Sequence, residues 1–443
     1  MSLSFYLRNN LEKIPFALGK YLSYIPFAYR PGIAFSYRNA KKKILGFEQM
    51  DQAQKENYVF KKMEFIVNHA YKTIPFYNDL YSKKGFCPEI HLKSFADIKN
   101  IPIIKKSDLL SVSLEDRSYK TAKTMIVNTG GSSGATLSFY VPSLKMGIEW
   151  AHLHTIWKKQ MRYKIADLKI LLVGRSAVKD KVEYDFLRNC LRVDLYSDYN
   201  AVFEKLSENY GNCTIKYLRG YPSALYELAL FCKSNSNYCN QITKNLKGII
   251  LVSEFPKKQQ RDVIEAVFKV KTFAFYGHSE GCVIAYENEI NNYIPMHTYG
   301  YCEVEQIDGM AALIGTNFYN TASPLIRYNT EDRIEVTNYN HNLLESFSIQ
   351  EGRVGEVIID RNDKIIPLTG LIFGRHHKLF DHCTHIQVKQ TKKGHAQILY
   401  VPINGIIAAP QLLFDTQNIA VDFEFVQIAA PIKTENGKLK LLV

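Results

Sequence analysis

The sequence predicts an α/β protein built from a large N-terminal domain, residues 1–350, and a small α+β C-terminal domain, residues 351–443. Short apolar β-type runs alternate with helical stretches through the middle of the chain, which favours parallel strands flanked by helices. From residue 354 onward the strand-like patterns follow one another closely. The polar, glycine-containing stretch Gln350–Arg353 (QEGR) marks the expected boundary between the two domains.

The region up to about residue 120 is predicted to be helical and connecting. Phe60, Met63, Val67 and Ala70 recur at three- and four-residue spacing, which puts an apolar stripe on one helix face, and Pro75 should end that helix. The segment 101–108 (IPIIKKSD) predicts a further helix, with Ser107 as its cap.

Apolar runs predict three strands in the middle region, at 168–174, 248–253 and 271–276. Helical patterns follow Pro222 and Pro256. The C-terminal region predicts four more strands, at 354–360, 385–390, 396–401 and 421–428.

The composition indicates a packed globular protein, because 46% of the 443 residues are hydrophobic and 13% are aromatic. Eight scattered cysteines without a C-x-x-C pair argue against a disulfide framework or a zinc ribbon and fit a reducing cytoplasm. Cys282, His297 and Cys302 have only a loose metal-ligand spacing, so ordinary buried thiols are favoured over a metal site there.

The formal net charge of +13 could attract polyanionic substrates such as ATP or coenzyme A, or an anionic membrane surface. The densest basic cluster is 38–43 (RNAKKK), for which a solvated helix face is favoured over a membrane or nucleic-acid contact. No nucleic-acid module is apparent. The sequence has neither a secretory signal nor the roughly 18 consecutive apolar residues of a membrane span, so a cytoplasmic location is expected.

A small-residue loop at 129–136 (TGGSSGAT) is the first chemical feature, and it follows the apolar run 125–127. Its glycines allow backbone N–H groups to approach phosphates, and Thr129, Ser132 and Ser133 offer hydroxyls. No lysine follows the last glycine, so it is not a Walker loop, and a kinase or GTPase is disfavoured. An ordinary surface loop between strands is the alternative.

Three later strings supply the remaining groups. The segment 275–280 (FYGHSE) ends a predicted strand, where an aromatic ring can cover a purine and Glu280 can bind magnesium. Asp332, in 324–332 (PLIRYNTED), can bind ribose. Lys438, in 436–440 (NGKLK), can contact a phosphate. Each string is ordinary in isolation. The alternative for 275–280 is a turn that uses Gly277 for backbone freedom, for Asp332 a turn cap, and for Lys438 a frayed terminus. Together and in this order they suit ATP-driven activation of a carboxylic acid.

These strings resemble the adenylate-forming, acyl-CoA synthetase-like superfamily, and more narrowly its phenylacetate–CoA ligase branch with the CapK-like relatives of capsular polysaccharide biosynthesis. The likeness covers nearly the whole chain. It extends to 63–77 (MEFIVNHAYKTIPFY), 101–108, 218–225 (LRGYPSAL) and 252–254 (VSE).

The resemblance implies a large adenylation domain and a small, mobile C-terminal domain that rotates about a hinge near Gly352 between two half-reactions. Glu280 would coordinate Mg²⁺, Arg353 would assist near the ribose held by Asp332, and Lys438 would contact the α-phosphate. The remaining ATP-binding residues would be Thr129, Gly130, Gly131, Ser132, Ser133, Gly134, Ser253, Glu254, Tyr276, Gly277 and Ser279.

Two positions depart from the family pattern. Ala135 and Thr136 stand where relatives usually carry Lys or Thr and then Pro, and Glu356 stands in for an aspartate after Arg353.

The resemblance implies an AMP-forming acid ligase that uses ATP, Mg²⁺ and, as acyl acceptor, coenzyme A or a similar thiol. Transfer to an amine or hydroxyl of a glycan precursor is an alternative, as is a nucleotide-binding scaffold without turnover. Tyr221, Phe275 and His278 are candidate pocket residues, but they favour no particular acid. Membrane association and a homodimer stay open.

Overall fold

The computed structural model describes residues 14–30, 33–121, 124–129, 137–172, 174, 178–211, 213–307, 309–351, 356–373, 375, 377–432 and 440–443. The α-helices in these ranges are α1 (Phe16–Leu22), α2 (Ala34–Glu48), α3 (Gln52–Thr73), α4 (Pro75–Lys83), α5 (Pro88–His91), α6 (Lys106–Leu110), α7 (Lys145–Met161), α8 (Tyr199–Tyr210), α9 (Pro222–Ser234), α10 (Ser236–Thr243) and α11 (Lys258–Phe268).

Strands dominate the second half of the chain. They are β1 (Thr124–Asn128), β2 (Ser138–Pro142), β3 (Leu168–Leu172), β4 (Val182–Asp185), β5 (Cys190–Val193), β6 (Ile215–Gly220), β7 (Gly248–Leu251), β8 (Thr272–Gly277), β9 (Ile284–Glu289), β10 (Asn292–Pro295), β11 (Gly300–Ile307), β12 (Met310–Asn317), β13 (Tyr328–Asn340), β14 (Leu343–Glu351), β15 (Val357–Ile359), β16 (Ile365–Pro367), β17 (Cys383–Lys392), β18 (His395–Pro402) and β19 (Asp422–Gln427).

One 12-stranded sheet organises the fold, in the order β11-β12-β13-β14-β10-β9-β8-β7-β6-β3-β5-β4. Strands β5, β3, β6, β7 and β8 pair in parallel, because helices return the chain between them. From β8 onward the neighbours pair antiparallel, through β9, β10, β14, β13, β12 and β11. The α/β class and the three middle strands are confirmed.

The helix predicted from the apolar stripe at residues 60–70 is also confirmed, since it lies within α3, which ends at Thr73 just before Pro75. The cap predicted at Ser107 is wrong. Lys105 is the N-cap residue of α6, and its backbone N–H donates to the Asp108 carboxylate at 2.7 Å. The carboxylate three residues into the helix, and not the serine, satisfies the helix start.

Two small sheets follow the large one. Strands β15 and β16 form a hairpin, and β17, β18 and β19 form a three-stranded sheet. The predicted strands at 385–390, 396–401 and 421–428 all lie in that second sheet. The domain boundary at Gln350–Arg353 stays a prediction. Strand β14, the last strand of the large sheet along the chain, ends at Glu351, inside that stretch.

Helix α7 connects the β1–β2 hairpin to the core. Its Trp150, His154 and Trp157 are buried in a cluster of aromatic rings. Gly147 lets the helix approach α2, because a side chain there would collide with Ser36. No helix in the described part of the chain combines the length and the hydropathy that a bilayer span requires.

A buried ion pair holds α11 against the strand that leads to the candidate site. The Arg261 guanidinium donates to both Glu287 carboxylate oxygens, at 2.6 and 2.8 Å, and both side chains are buried. The same carboxylate accepts the backbone N–H of Ala274 in β8 at 3.1 Å. The pair therefore joins a helix and two adjacent strands.

We expect Glu287→Gln to lower the free energy of unfolding by about 3–5 kcal/mol, because the Arg261 charge would be buried without its counter-charge. Urea unfolding followed by circular dichroism measures the loss. Glu289→Gln, at an exposed position of the same strand, is the matched control and should cost less than about 0.5 kcal/mol. Equal stabilities of the two variants would contradict this role of the pair.

Candidate active site

The small-residue loop lies between two paired strands. Strands β1 and β2 are antiparallel, and Asn128 pairs with Ser138 at the loop end of the hairpin. Thr129 closes that end: its N–H donates to the Leu137 carbonyl, and its hydroxyl accepts the Leu137 N–H, both at 2.9 Å. Gly130, Gly131, Ser132, Ser133 and Gly134 lie outside the described residues.

A hydrogen bond joins two of the predicted site residues. The Tyr276 hydroxyl, at the end of β8, donates to Asp332 Oδ2 in β13 at 2.5 Å. Three strands separate β8 from β13 in the sheet order, so the sheet must curl to bring these side chains together. Burial raises the pKa of Tyr276, and the Asp332 carboxylate raises it further. The hydroxyl therefore stays a proton donor to Asp332.

Glu280 lies in the turn after β8. Its Oε2 is 3.2 Å from Nδ1 of His278. Burial would raise the pKa of Glu280, but the hydrogen bond and charge of His278, with a contribution from Lys106, hold that pKa at about 2. Glu280 is consequently a partly buried carboxylate that keeps its negative charge.

The residues present fit a magnesium ion. Mg²⁺ prefers oxygen ligands and is usually held by one or two carboxylates together with substrate phosphates and water. Glu280 offers an ionised carboxylate of this kind. Within the residues that the structure describes, no group of three or more His, Cys, Asp or Glu side chains could form a complete metal cage. The same finding gives no support to a metal at Cys282, His297 and Cys302.

Left-handed backbone accompanies these side chains. Glu331, directly before Asp332, has a φ of 64°, and Ser253 has a φ of 67°. Such values are uncommon for residues with a side chain and are retained where the surrounding structure imposes them, often at functional sites. The two residues flank positions that the sequence assigns to ribose and adenine binding.

Glu254 has a structural contact that the sequence did not predict. Its two carboxylate oxygens accept the backbone N–H and the hydroxyl of Ser223, each at 3.1 Å. Ser223 lies in the first turn of α9, where free N–H groups and the helix dipole attract an anion. The carboxylate thus fixes the VSE segment to the start of the helix that follows Tyr221.

The other predicted residues of this region differ in exposure. Gly277 and Ser279 are exposed, whereas Tyr221 is buried. Phe275 packs edge-on against Trp157, with ring centroids 6.4 Å apart. Gly277 and Ser279 are therefore open to a ligand, and Tyr221 is mainly a packing residue.

Lys438 and Arg353 lie outside the described residues, but the chain on each side of 433–439 is well fixed. The buried Gln387 amide donates to the carbonyls of Ile432 and Lys440, at 2.9 and 2.7 Å, and accepts the Ile432 N–H at 2.7 Å. Leu441 is buried and pairs with Val388 through its carbonyl. The expectation of a frayed terminus is wrong for residues 440–443.

Lys106 is a site residue that sequence reasoning missed. It belongs to the segment IPIIKKSD and is buried, and its charge helps to lower the pKa of Glu280. Burial raises the pKa of Glu331, and the Lys106 charge opposes that rise. A backbone hydrogen bond from Asn329 to Ile104 brings this segment beside β13. A lysine next to another lysine in the sequence gives no indication of burial, so the sequence did not predict that Lys106 is buried.

Comparisons with known proteins agree with this architecture. No family model matches the chain. Protein CapK of Staphylococcus aureus is 25% identical over 305 residues, and the matched part spans 66% of this chain and 66% of CapK, just under two thirds. The CapK-like resemblance is thereby supported.

Solved structures of 2-hydroxyisobutyryl-CoA ligase share the fold. The complex with 2-HIB-AMP and CoA in the thioesterification state has a TM-score of 0.56 at 17% identity, over 89% of this chain and 90% of that one. An open conformation with the same two ligands has a TM-score of 0.53 at 16% identity, over 89% and 92% of the two chains. The chain therefore has the fold of an adenylate-forming ligase.

The His278–Glu280 contact predicts a pH dependence. The pKa of Glu280 is about 2 in the folded protein, below its unfolded value, so its stabilising contribution is complete above the unfolded pKa and is lost as the pH falls towards 2. In His278→Leu the pKa of Glu280 should rise, and stability should be lost from a higher pH. Carboxyl ¹³C NMR of Glu280 reports that pKa directly.

His382→Leu, which changes an exposed histidine elsewhere, is the control and should leave the Glu280 titration in place. An unaltered Glu280 midpoint in His278→Leu would show that another group holds the charge.

Proposed function

We propose that the protein activates a carboxylic acid with ATP to form an acyl-adenylate and pyrophosphate, and then transfers the acyl group to coenzyme A or a similar thiol. The observation that carries the proposal is the pair of fixed carboxylates near the C-terminal end of β8. Asp332 is held by the Tyr276 hydroxyl, and Glu280 is kept ionised by His278. The fold and the similarity to CapK support it.

In this proposal Asp332 binds the ribose. The Tyr276 hydroxyl donates to Oδ2 of this carboxylate and fixes its orientation, and a carboxylate can accept hydrogen bonds from the sugar hydroxyls. The Tyr276 ring packs edge-on against Phe347, with centroids 5.6 Å apart, which fixes the ring beside the adenine position. Ser253 and Glu254 follow β7, next to β8, and would border the same base.

The first half-reaction joins a carboxylate oxygen of the acid to the α-phosphorus of ATP and breaks the bond to pyrophosphate. Magnesium, when bound, would neutralise negative charge that develops on the phosphate oxygens. Glu280 would hold the ion through its ionised carboxylate. The N–H groups of loop 130–136 and the Lys438 ammonium would stabilise the remaining charge, and the transfer to the acceptor would then release AMP.

A second candidate acceptor is an amine or hydroxyl on a glycan precursor, and a cavity of about 600 Å³ favours it. The cavity lies where α8 and α9 meet the β15–β16 hairpin. Four of its described lining residues are charged, and three of these are carboxylates: Asp198, Glu227 and Asp360. Such a lining suits an amine- or hydroxyl-bearing acceptor better than the phosphates of coenzyme A.

The fourth charged residue is Lys364, which donates to the Ser197 carbonyl. Burial lowers the pKa of Lys364 to about 8, and burial raises the pKa of Glu227. The pKa of Lys364 therefore lies closer to neutral pH than that of an exposed lysine. AMP release from supplied acyl-adenylate, with coenzyme A or glucosamine as acceptor, distinguishes the two candidates.

The proposal is tested by ATP–pyrophosphate exchange across a panel of carboxylic acids. Asp332→Ala should weaken ATP binding by about 1.5–3 kcal/mol, since a hydrogen bond to a charged group is lost. It should also remove the preference for ATP over 2′-deoxy-ATP. Discrimination retained in Asp332→Ala would take the ribose role from this residue, and a wild-type chain that shows exchange with no acid would sink the proposed activity.

Lys438 is tested by point substitution, because removal of the C-terminus would also remove the buried Leu441. Lys438→Ala should abolish exchange and spare acyl transfer from supplied acyl-adenylate. Lys440→Ala is the control, because its structural contribution is a backbone carbonyl that the substitution retains. Loss of exchange in Lys440→Ala but not in Lys438→Ala would move the catalytic assignment by two residues.

A further inference from the structure

Lys145 is a buried ammonium group without a matching anion. It is the first residue of α7, and only 5% of its surface is exposed. Among the residues that the structure describes, no hydrogen bond or ion pair reaches its Nζ atom. A buried amine in this condition is unusual, because the loss of hydration is not repaid by a partner.

The ammonium lies against the turn that carries Glu280. Gly281 has a φ of +65°, and a side chain there would collide with Lys145 Nζ and lie 3.0 Å from the Tyr299 hydroxyl. The glycine therefore lets the Lys145 ammonium pack directly against the turn, one residue after the proposed magnesium ligand Glu280.

Packing, and not charge, holds Lys145 in position. Helix α7 is anchored by Gly147 against Ser36 in α2 and by the buried Trp150 one turn further along. Lys145 itself is only 5% exposed, so this packing covers most of its side chain. The fold thus delivers a fixed positive charge to this point.

The electrostatic surroundings favour a small anion there. Burial lowers the pKa of Lys145, whereas Glu149 and Glu280 are near enough to raise it and help to keep the charge. Neither carboxylate comes within hydrogen-bonding distance of the ammonium.

We propose that the Lys145 ammonium binds a carboxylate group of the acid that is activated. This inference rests on the proposed function and names Lys145 as a substrate-binding residue. The carboxylate is either the reacting one or a second one on a dicarboxylic acid. Matched acids separate these sources: butyrate with succinate, and benzoate with isophthalate.

Acid binding is measured by calorimetry without ATP, so that the result does not depend on turnover. Lys145→Met should weaken the binding of acids that the wild type binds by about 10- to 100-fold, the cost of a charge-assisted hydrogen bond. Loss for all acids identifies the reacting carboxylate, and loss only for succinate or isophthalate identifies a second one. Lys145→Arg should restore part of the binding.

Two further readouts separate binding from folding. Lys145→Met should raise the thermal midpoint of the ligand-free protein, because an unpaired buried charge is removed. Lys158→Met, at an exposed lysine of the same helix, should change neither binding nor stability.

Unchanged acid affinity in Lys145→Met, or a wild type that binds none of the acids, would overturn the inference. Weaker binding of ATP in place of the acid would do so as well. Lys145-dependent acid binding without pyrophosphate exchange would instead overturn the proposed activity alone.

Discussion

The arrangement of the candidate site depends on a close backbone contact at Cys282. Side chains at Gly300 and Gly315 would collide with Cys282, so the turn 280–283 can lie directly on β11 and β12 only because both positions are glycine. The Asn317 side-chain amide also donates to the Glu280 carbonyl at 3.4 Å. Because the turn is held on both sides, Glu280 and Gly281 occupy fixed positions directly after β8. Interiors packed this tightly resist displacement.

Much of the fold could be predicted from sequence because its signals are local. The apolar runs at 168–174, 248–253 and 271–276 and the stripe in α3 depend on neighbouring residues, and the structure has strands at 168–172, 248–251 and 272–277 and a helix at the stripe. The curl of the sheet could not be predicted in this way. It places Tyr276 against Asp332, 56 positions away along the chain, and depends on strand order and twist.

The sequence could propose Glu280 and Asp332 as site residues because of the order of their motifs along the chain, and their roles stay predictions. The candidate site was not predictable where a charge is placed by packing. In a sequence with 56 lysine and arginine residues, nothing distinguishes Lys106 and Lys145 from exposed lysines. Only the structure shows that both are buried. Glu254 illustrates the converse, since its carboxylate fixes the start of α9 and does not face solvent.

The buried cations Arg327 and Lys145 differ in whether a carboxylate neutralises their charge. Arg327 is buried, and its guanidinium forms ion pairs with Glu303 and Glu305 while it donates to the Lys99 and Ile101 carbonyls at 2.7 Å each. It therefore joins the N-terminal connecting region to the sheet in which Asp332 lies, and its charge is fully used within the fold. Lys145 is equally buried but has no such partners among the described residues. Within the described residues, Arg327 and Arg261 are paired with carboxylates and Lys145 beside the Glu280 turn is not, and this contrast is the reason for proposing a ligand carboxylate there.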